Sequence, residues 1–218
     1  MNRMAIPCHT GNYGGLRLKK VEYIVIHYTA GDGDTAENNG VYFSQNVVGA
    51  SAHWFVDDTS ALCSVPEEFV AWHCGGAMYN HPGCRNANSI GVELCSRKDA
   101  DGQYYFTAAT EENAAKLVRE LMKKYNVPAE NVIRHYDVTG KICPAPYVGA
   151  GQEEWKNFKE MIAMVKYDKV EELPVWAAPT VKKLIEKEFL KGTDGGLDLS
   201  QDMVRLLVIL DRAGVFNA

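Results

Sequence analysis

The sequence lacks any long apolar run. Nowhere in its 218 residues does a segment approach the ~20 consecutive apolar residues that a membrane-spanning helix needs. The start of the chain, MNRMAIPCHTGNYGG, also lacks the apolar core of about 7–15 residues that is typical of a secretory signal peptide. We therefore expect no membrane insertion, and we expect synthesis in the cytoplasm without a signal peptide.

A surplus of basic side chains is also missing, because 23 lysines and arginines stand against 28 aspartates and glutamates, for a net charge of -5. A nucleic-acid backbone attracts basic surfaces, so this balance argues against a nucleic-acid partner. Apolar residues make up 46% and charged residues 23% of the chain. These proportions are ordinary for a folded globular protein and exclude a disordered or collagen-like chain.

The six cysteines include no Cys-x-x-Cys pair, which argues against a cysteine-rich structural zinc site. In a chain of this size without a signal peptide, reduced and buried thiols are the simplest interpretation. Cys74 and Cys84 flank a short stretch that contains Gly and Pro, and they could pair if oxidised. The connectivity itself cannot be read from a sequence.

Strand and helix patterns alternate up to about residue 166. Runs of β-branched and aromatic residues predict four strands, over residues 22–28, 53–57, 61–65 and 88–96. Amphipathic spacing predicts three helices, over residues 34–46, 110–125 and 153–165. Thr110 is the expected N-cap of the second helix, and Val165 the last apolar residue of the third. The alternation indicates an α/β fold, with a central mixed β-sheet flanked by helices.

A charged segment with two prolines, residues 167–179, predicts a boundary. Beyond it, two amphipathic helices are expected over residues 180–190 and 200–212, joined by a turn-forming loop that starts at Gly192. We therefore divide the chain into a main domain, residues 1–166, and a small helical C-terminal module, residues 174–218. The module looks somewhat like one S-layer-homology-type motif, a kind that binds cell-wall polymers, generally in sets of several. Homodimer formation and packing on the main domain are the alternatives.

Three side chains in the main domain could ligate a metal. His27 ends a predicted strand before a Gly-rich turn, His135 lies in the run RHYD, and Cys143 follows eight positions later. Two neutral imidazoles and a thiolate suit Zn²⁺, and three protein ligands leave a fourth position for water, as hydrolysis requires. Taken singly, each residue has another explanation, namely a hydrogen-bonded core histidine or a packed cysteine.

Five runs of residues carry a family resemblance. In order along the chain they are YIVIHYTAG, SAHWFVDD, AWHCGG, NSIGVELC and RHYDVTGKICPAP. Together they resemble the zinc-dependent N-acetylmuramoyl-L-alanine amidases of the phage T7 lysozyme type, which are related to peptidoglycan recognition proteins. The resemblance covers about residues 20–166 and implies a mixed sheet flanked by helices. It also implies that His27, His135 and Cys143 bind one zinc ion per chain.

The resemblance further implies catalytic roles for Glu93 and Lys141. Glu93 would activate the attacking water and pass its proton to the leaving amine. In a strand flanked by apolar residues an unpaired carboxylate is costly, so a functional role or a salt bridge is expected there. Lys141 stands two positions before Cys143, so in an extended segment its ammonium would lie beside the metal and stabilise the oxyanion. A solvated surface lysine is the alternative.

One departure from T7 lysozyme bears on this assignment. That enzyme has a catalytic tyrosine just before the residue that matches His53, and here the position is Ala52. The base role therefore falls to Glu93. His53, Trp72 and His73 are expected to contact substrate, and an aromatic ring at Trp72 could stack on a sugar or a peptide stem. Core packing of Trp72 is equally consistent with its sequence position.

The function implied by the resemblance is hydrolysis of the amide between N-acetylmuramic acid and L-alanine in bacterial peptidoglycan. A phage or prophage endolysin would act on the cell wall after its release through a membrane lesion opened by another protein. A host autolysin exported by another route is the alternative. Two other functions remain open, a non-catalytic peptidoglycan-binding module and a thiol hydrolase that uses Cys143 and His135.

Overall fold

The computed structural model describes residues 1–164, 166–193 and 196–216. The chain divides into two compact units, Met1–Ile162 and Ala163–Ala218. Val165, which we placed on the third predicted helix, lies outside the described residues. So do Asp194 and Gly195 of the predicted loop and the last two residues of the predicted module.

The first unit contains ten strands and four helices in its described residues. The strands are β1 (Asn2–Ala5), β2 (Tyr13–Leu16), β3 (Tyr23–Tyr28), β4 (Trp54–Val56), β5 (Ser60–Cys63), β6 (Phe69–Ala71), β7 (Ser89–Leu94), β8 (Arg97–Lys98), β9 (Tyr104–Tyr105) and β10 (Val132–Arg134). The helices are α1 (Ala36–Gln45), α2 (Ala108–Tyr125), α3 (His135–Thr139) and α4 (Glu153–Ala163), the last ending at the unit boundary. Short 3₁₀ turns cover Thr10–Asn12, Asn86–Asn88, Ala129–Asn131, Ala145–Tyr147 and Ala150–Gln152.

Six strands form the central sheet, in the order β1-β5-β4-β7-β3-β10. The strands predicted over residues 53–57 and 61–65 correspond to β4 and β5, which form an antiparallel hairpin, and every other neighbouring pair is parallel. The predicted mixed sheet flanked by helices is therefore confirmed. β2 pairs with β6 and β8 with β9 in two separate antiparallel ribbons.

One face of the sheet packs against α2 and α4. Ile90, Val92 and Leu94 of β7 are fully buried there with Leu117 and Val118 of α2. Burying one such aliphatic side chain contributes about 1.5–3 kcal/mol, so this face supplies much of the stability. Side chains alternate along β7, and its odd-numbered side chains lie on the opposite face, where the candidate site is found.

The N-terminus of α2 corrects one prediction. The helix begins at Ala108, and the Thr107 hydroxyl caps it by accepting the backbone N–H of Thr110 at 3.1 Å. Thr110 therefore lies inside the first turn, where its own hydroxyl donates to Asp58 at 2.7 Å. The prediction of Thr110 as the cap was wrong because Thr107, three residues earlier, supplies the same capping chemistry.

The opposite face of the sheet carries two smaller apolar clusters. One joins α1 to the sheet through Ala36, Phe55 and Leu62. The other contains Cys74 and Cys84, which are both fully buried. All six cysteines are free thiols in this structure.

The second unit contains two helices in its described residues, α5 (Ala178–Glu186) and α6 (Gln201–Arg212), with a two-stranded ribbon, β11 (Lys166–Tyr167) and β12 (Leu199–Ser200). A 3₁₀ turn covers Val170–Glu172. Both predicted helices are present with shifted ends. Their buried side chains form a separate cluster, and Lys183 of α5 pairs with Asp211 of α6 at 2.7 Å.

No helix among residues 1–164, 166–193 and 196–216 combines the length and the apolar character needed to cross a membrane.

Candidate metal centre

Strand pairing places His27 beside Glu93. In the parallel register of β3 and β7, His27 lies opposite Glu93, and on the other side of β7 Glu93 lies opposite Phe55 of β4. Residues in register on neighbouring strands project from the same face of a sheet. The three side chains therefore form one row across the face opposite α2.

A short helix and a tight turn bring His135 to Cys143. His135 begins α3, and Gly140 ends that helix with φ of 82°, a left-handed conformation that favours glycine. The chain then returns, and the Tyr136 N–H donates to the Cys143 carbonyl at 2.8 Å. This hydrogen bond keeps Cys143 next to the first turn of α3.

The structure brings the three predicted metal ligands together. The ligand atoms of His27, His135 and Cys143 all lie within 4.8 Å of one another, and all three residues are buried. Cys143 Sγ is 3.6 Å from His27 Nδ1. The imidazole rings of His27 and His135 meet edge to face, with centroids 4.8 Å apart.

The residues present fit a zinc ion. Both nitrogens of the buried His135 ring have no hydrogen-bond partner in the described part of the chain, although buried polar atoms are nearly always paired. Burial lowers the pKa of His27 well below its ordinary value, and burial together with the Lys141 charge lowers that of His135 to about 4. Both rings are therefore neutral near pH 7, which is the form that ligates a metal.

Cys143 is poorly suited to act as a free nucleophile. Burial and the nearby Glu93 carboxyl raise the pKa of its thiol to about 12, whereas a catalytic thiol needs a lowered pKa. Cys143 Sγ contacts the His27 imidazole. Neither nitrogen of His135 has a hydrogen-bond partner in the described part of the chain, so the Cys143/His135 hydrogen bond of a thiol hydrolase is not formed. A bound cation would displace the thiol proton and give the thiolate ligand.

Glu93 has the properties of a proton carrier. Its Oε2 atom is buried and accepts no hydrogen bond from any residue that the structure describes. Burial raises the pKa of its carboxyl to about 8, and the Lys141 charge partly opposes this rise. A carboxyl with a pKa near neutrality and an unpaired oxygen can both take up and release a proton at physiological pH.

The three candidate ligands, Glu93 and Lys141 line one pocket of about 290 Å³. Lys141 and Cys143 both face it, although Lys141 is exposed and Cys143 is buried. The rest of the wall comes from the end of β3 and the loop after it, from α1 and the loop after it, from β4, and from the loop after β6. These residues are Tyr28, Thr29, Ala30, Asn39, Phe43, Ala50, Ser51, Phe55, Trp72 and His73.

Two of the three predicted substrate contacts reach this pocket, and the third does not. Trp72 is 39% exposed in the wall, and His73 lies beside it. His53 is fully buried and absent from the wall. Its Nδ1 accepts the backbone N–H of Gly91 at 2.9 Å, and its Nε2 lies 2.8 Å from an Arg17 guanidinium nitrogen. The expectation that His53 contacts substrate is therefore corrected, since these partners hold its ring beneath the site.

Sequence reasoning missed the contribution of α1 to the pocket. Asn39 and Phe43 are four residues apart, so they share one face of that helix, and both line the pocket. The helical prediction over residues 34–46 contained this spacing. Only the packing of α1 beside β4, however, shows which of its faces meets the site.

A family model described as N-acetylmuramoyl-L-alanine amidase matches residues 17–146. The chain belongs to this amidase family. The matched region contains all three candidate ligands, Glu93 and Lys141, so the pocket described above lies entirely within the family domain.

Named relatives agree with this assignment. BlyA of Bacillus subtilis (strain 168), an N-acetylmuramoyl-L-alanine amidase, is 39% identical over 167 residues, or 70% of this chain and 44% of BlyA. CwlL of Bacillus licheniformis, of the same description, is 40% identical over 144 residues, or 62% of this chain and 39% of CwlL. The chain thus spans less than half the length of these relatives. The structure of PlyL matches with a TM-score of 0.61 and 32% identity, covering 74% of this chain and 97% of PlyL.

Proposed function

We propose that this chain is a zinc-dependent amidase that hydrolyses the bond between N-acetylmuramic acid and L-alanine in bacterial peptidoglycan. One observation carries the proposal. Within the family domain, two imidazoles and a thiol converge next to a buried carboxyl with an unpaired oxygen, in a pocket that a substrate can enter. The names of BlyA and CwlL support the same reaction.

His27, His135 and Cys143 would hold the ion, which when bound supplies Lewis acidity at the scissile carbonyl and lowers the pKa of water. The chain's own residues do the remaining work. Glu93 Oε2 takes the proton from the attacking water and then delivers it to the leaving amide nitrogen. The Lys141 ammonium stabilises the negative charge that develops on the carbonyl oxygen.

Trp72 supplies a surface for substrate at the edge of this pocket. The residue is 39% exposed in the wall of the pocket that the candidate ligands line, while a core tryptophan would be covered. An exposed ring of this kind can stack on the flat face of a sugar or pack against a peptide stem. We propose that it orients the muramyl peptide, so that Trp72→Ala raises KM much more than it lowers kcat.

The proposed organisation is a catalytic domain over residues 1–166 and a wall-binding module over residues 174–218. In the second unit, α6 exposes Met203, Leu206 and Ile209, which are three or six positions apart and so share one face of the helix. We propose that this face binds a cell-wall polymer in an endolysin-like enzyme. The double variant Leu206→Glu/Ile209→Glu should then lose sedimentation with purified walls. A loss of dimer in analytical ultracentrifugation, with wall binding retained, would instead identify a homodimer contact.

Digestion of purified walls followed by mass spectrometry tests the reaction. We expect new L-alanine amino termini without new reducing sugar ends. Incubation with a chelator should stop the digestion, and added Zn²⁺ should restore it, whereas iodoacetamide should inhibit a thiol hydrolase in either condition. A muramidase or endopeptidase product pattern would overturn the assignment, and intact walls would indicate a non-catalytic binding module.

A further inference from the structure

A chain of hydrogen bonds leads away from the candidate ligand His27. Its Nε2 lies 3.0 Å from His73 Nδ1, and His73 Nε2 lies 3.1 Å from the Ser89 hydroxyl. That hydroxyl donates to the Arg85 carbonyl at 2.8 Å. His27, His73 and Ser89 are all buried, so bulk water does not compete for these contacts.

The Arg85 carbonyl, at the end of this series of hydrogen bonds, determines which atom donates in each of them. The Arg85 carbonyl can only accept, so the Ser89 proton points toward it, and the Ser89 oxygen accepts from His73 Nε2–H. A neutral His73 then has a bare Nδ1, which accepts from His27 Nε2–H. His27 Nδ1 is left without a proton. These tautomers are assigned from the hydrogen-bond network, and each donor in it meets one acceptor.

The bare nitrogen is the one on the side of the other ligands. His27 Nδ1 lies 3.6 Å from Cys143 Sγ, while Nε2 faces away toward His73. The tautomer that the network favours is therefore the one that offers a lone pair to a metal held with Cys143. With the opposite tautomer, the Nδ1 proton would point at the ion.

We infer that His73 is a positioning residue that fixes the tautomer and ring orientation of His27, and that Ser89 in turn fixes His73. This inference rests on the proposed function, because it presupposes a metal at the His27, His135 and Cys143 cluster. It assigns His73 a role toward the ligand His27, in addition to its place in the pocket wall. Partners of this kind typically change metal affinity by about 10–100-fold.

The surroundings of His73 are built to hold its ring in place. Its backbone N–H and that of Cys74 both donate to Asn86 Oδ1, at 3.1 and 2.8 Å. The ring lies directly over Gly91 of β7, where an added Cβ would come within 2.5 Å of His73 Cγ. The absence of a side chain at Gly91 therefore opens the space that lets His73 reach His27.

Zinc affinity, measured by competition with a chromogenic chelator on the full chain, tests the inference. In His73→Asn the amide oxygen stands near the Nδ1 position and can still accept from His27. In His73→Gln the amide reaches the Ser89 side instead. We expect near-normal affinity for the Asn variant and a loss of about 10–100-fold for the Gln and Leu variants. His81→Asn, in the neighbouring loop, is the matched control.

Ser89→Ala removes the hydroxyl that accepts from His73, and so tests the contact next to the one between His73 and His27. It should weaken zinc binding by a few fold, while the folded spectrum by circular dichroism stays unchanged. Nitrogen-15 NMR of the metal-free protein should find His27 and His73 both protonated at Nε2. A His27 proton on Nδ1, or equal zinc affinity across wild type, His73→Leu and Ser89→Ala, would overturn the inference.

The outcomes also separate this inference from the proposed function. If wild type binds zinc and cleaves walls but the His73 variants all bind zinc with the wild-type affinity, only the inference is overturned. If the series follows the predicted order but no L-alanine termini appear, the positioning role holds and the proposed reaction is wrong. If wild type binds no zinc, both are contradicted.

Discussion

His27 and Glu93 are direct neighbours across the parallel strands β3 and β7. Adjacent strands lie about 4.8 Å apart, and residues in register share a face. The candidate metal ligand and the candidate proton carrier are thus held at a fixed separation by the backbone of the sheet. A site built on paired strands keeps its geometry better than one built on loops.

Glu93→Gln tests the proton carrier. The amide has the shape of the protonated carboxyl but cannot take a proton, so kcat should fall by about 10²–10⁴-fold. The zinc content should stay near one ion per chain, because Glu93 is not among the three candidate ligands. Wall digestion rates and elemental analysis check the two expectations together. Normal lysis by this variant would show that another group carries the proton.

The pH dependence of stability gives an independent test of the burial of Glu93. Its carboxyl keeps its proton up to about pH 8 when folded, whereas in the unfolded chain it releases the proton near its ordinary pKa of 4.5. The stability from the held proton is therefore complete below pH 4.5 and is lost as the pH rises through 8.

Glu93→Gln removes this dependence. In metal-free protein the free energy of unfolding of the variant should rise, relative to that of wild type, by on the order of 4–5 kcal/mol between pH 4.5 and pH 8. Urea unfolding of both proteins at several pH values measures the difference. A constant difference across that range would mean that the carboxyl is solvated rather than buried.

Lys141→Met tests the stabilisation of charge on the substrate carbonyl oxygen. Loss of one such donor typically lowers kcat by about 10²–10³-fold. Zinc affinity should not fall, because removal of a positive charge beside the cluster does not weaken cation binding. Lys19→Met, at an exposed lysine outside the pocket, is the matched control. Similar kcat values for the two variants would place Lys141 among solvated surface lysines.

Gly91→Ala tests the packing of His73 on the sheet. The new methyl group would meet the His73 ring at 2.5 Å, so the ring or the strand must shift. Overpacking of this kind costs about 1–3 kcal/mol in the free energy of unfolding. Gly15→Ala, also in a strand but with no atom within 4 Å of the new methyl, should leave stability nearly unchanged. Chemical denaturation compares the pair, and equal stabilities would contradict the packing described.

The sequence predicts the parts of this molecule that have strong local patterns. The β-branched run of β7 and the amphipathic spacing of α2 were sufficient to predict this strand and this helix. The three-residue strand β10 was missed, since so short a run has no clear period. The candidate ligands and Lys141 followed from the family motif, because spacing alone does not show that His27 and His135 meet.

Contacts between distant segments could not be predicted. His73 joins His27 across 46 residues, and this contact depends on the path of the chain over Gly91. The burial of His53 beneath the pocket depends likewise on Arg17, from a segment with no sequence signal. Such contacts are set by tertiary packing. They leave no local periodic pattern in the sequence from which they could be predicted.

Zinc K-edge X-ray absorption of the loaded protein tests the central claim most directly. We expect one ion per chain with one sulfur at about 2.3 Å and two imidazole nitrogens at about 2.0–2.1 Å, together with a light atom in the fourth position. Cys143→Ser should remove the sulfur shell. A spectrum without sulfur, or one with four protein ligands and no exchangeable position, would contradict the account.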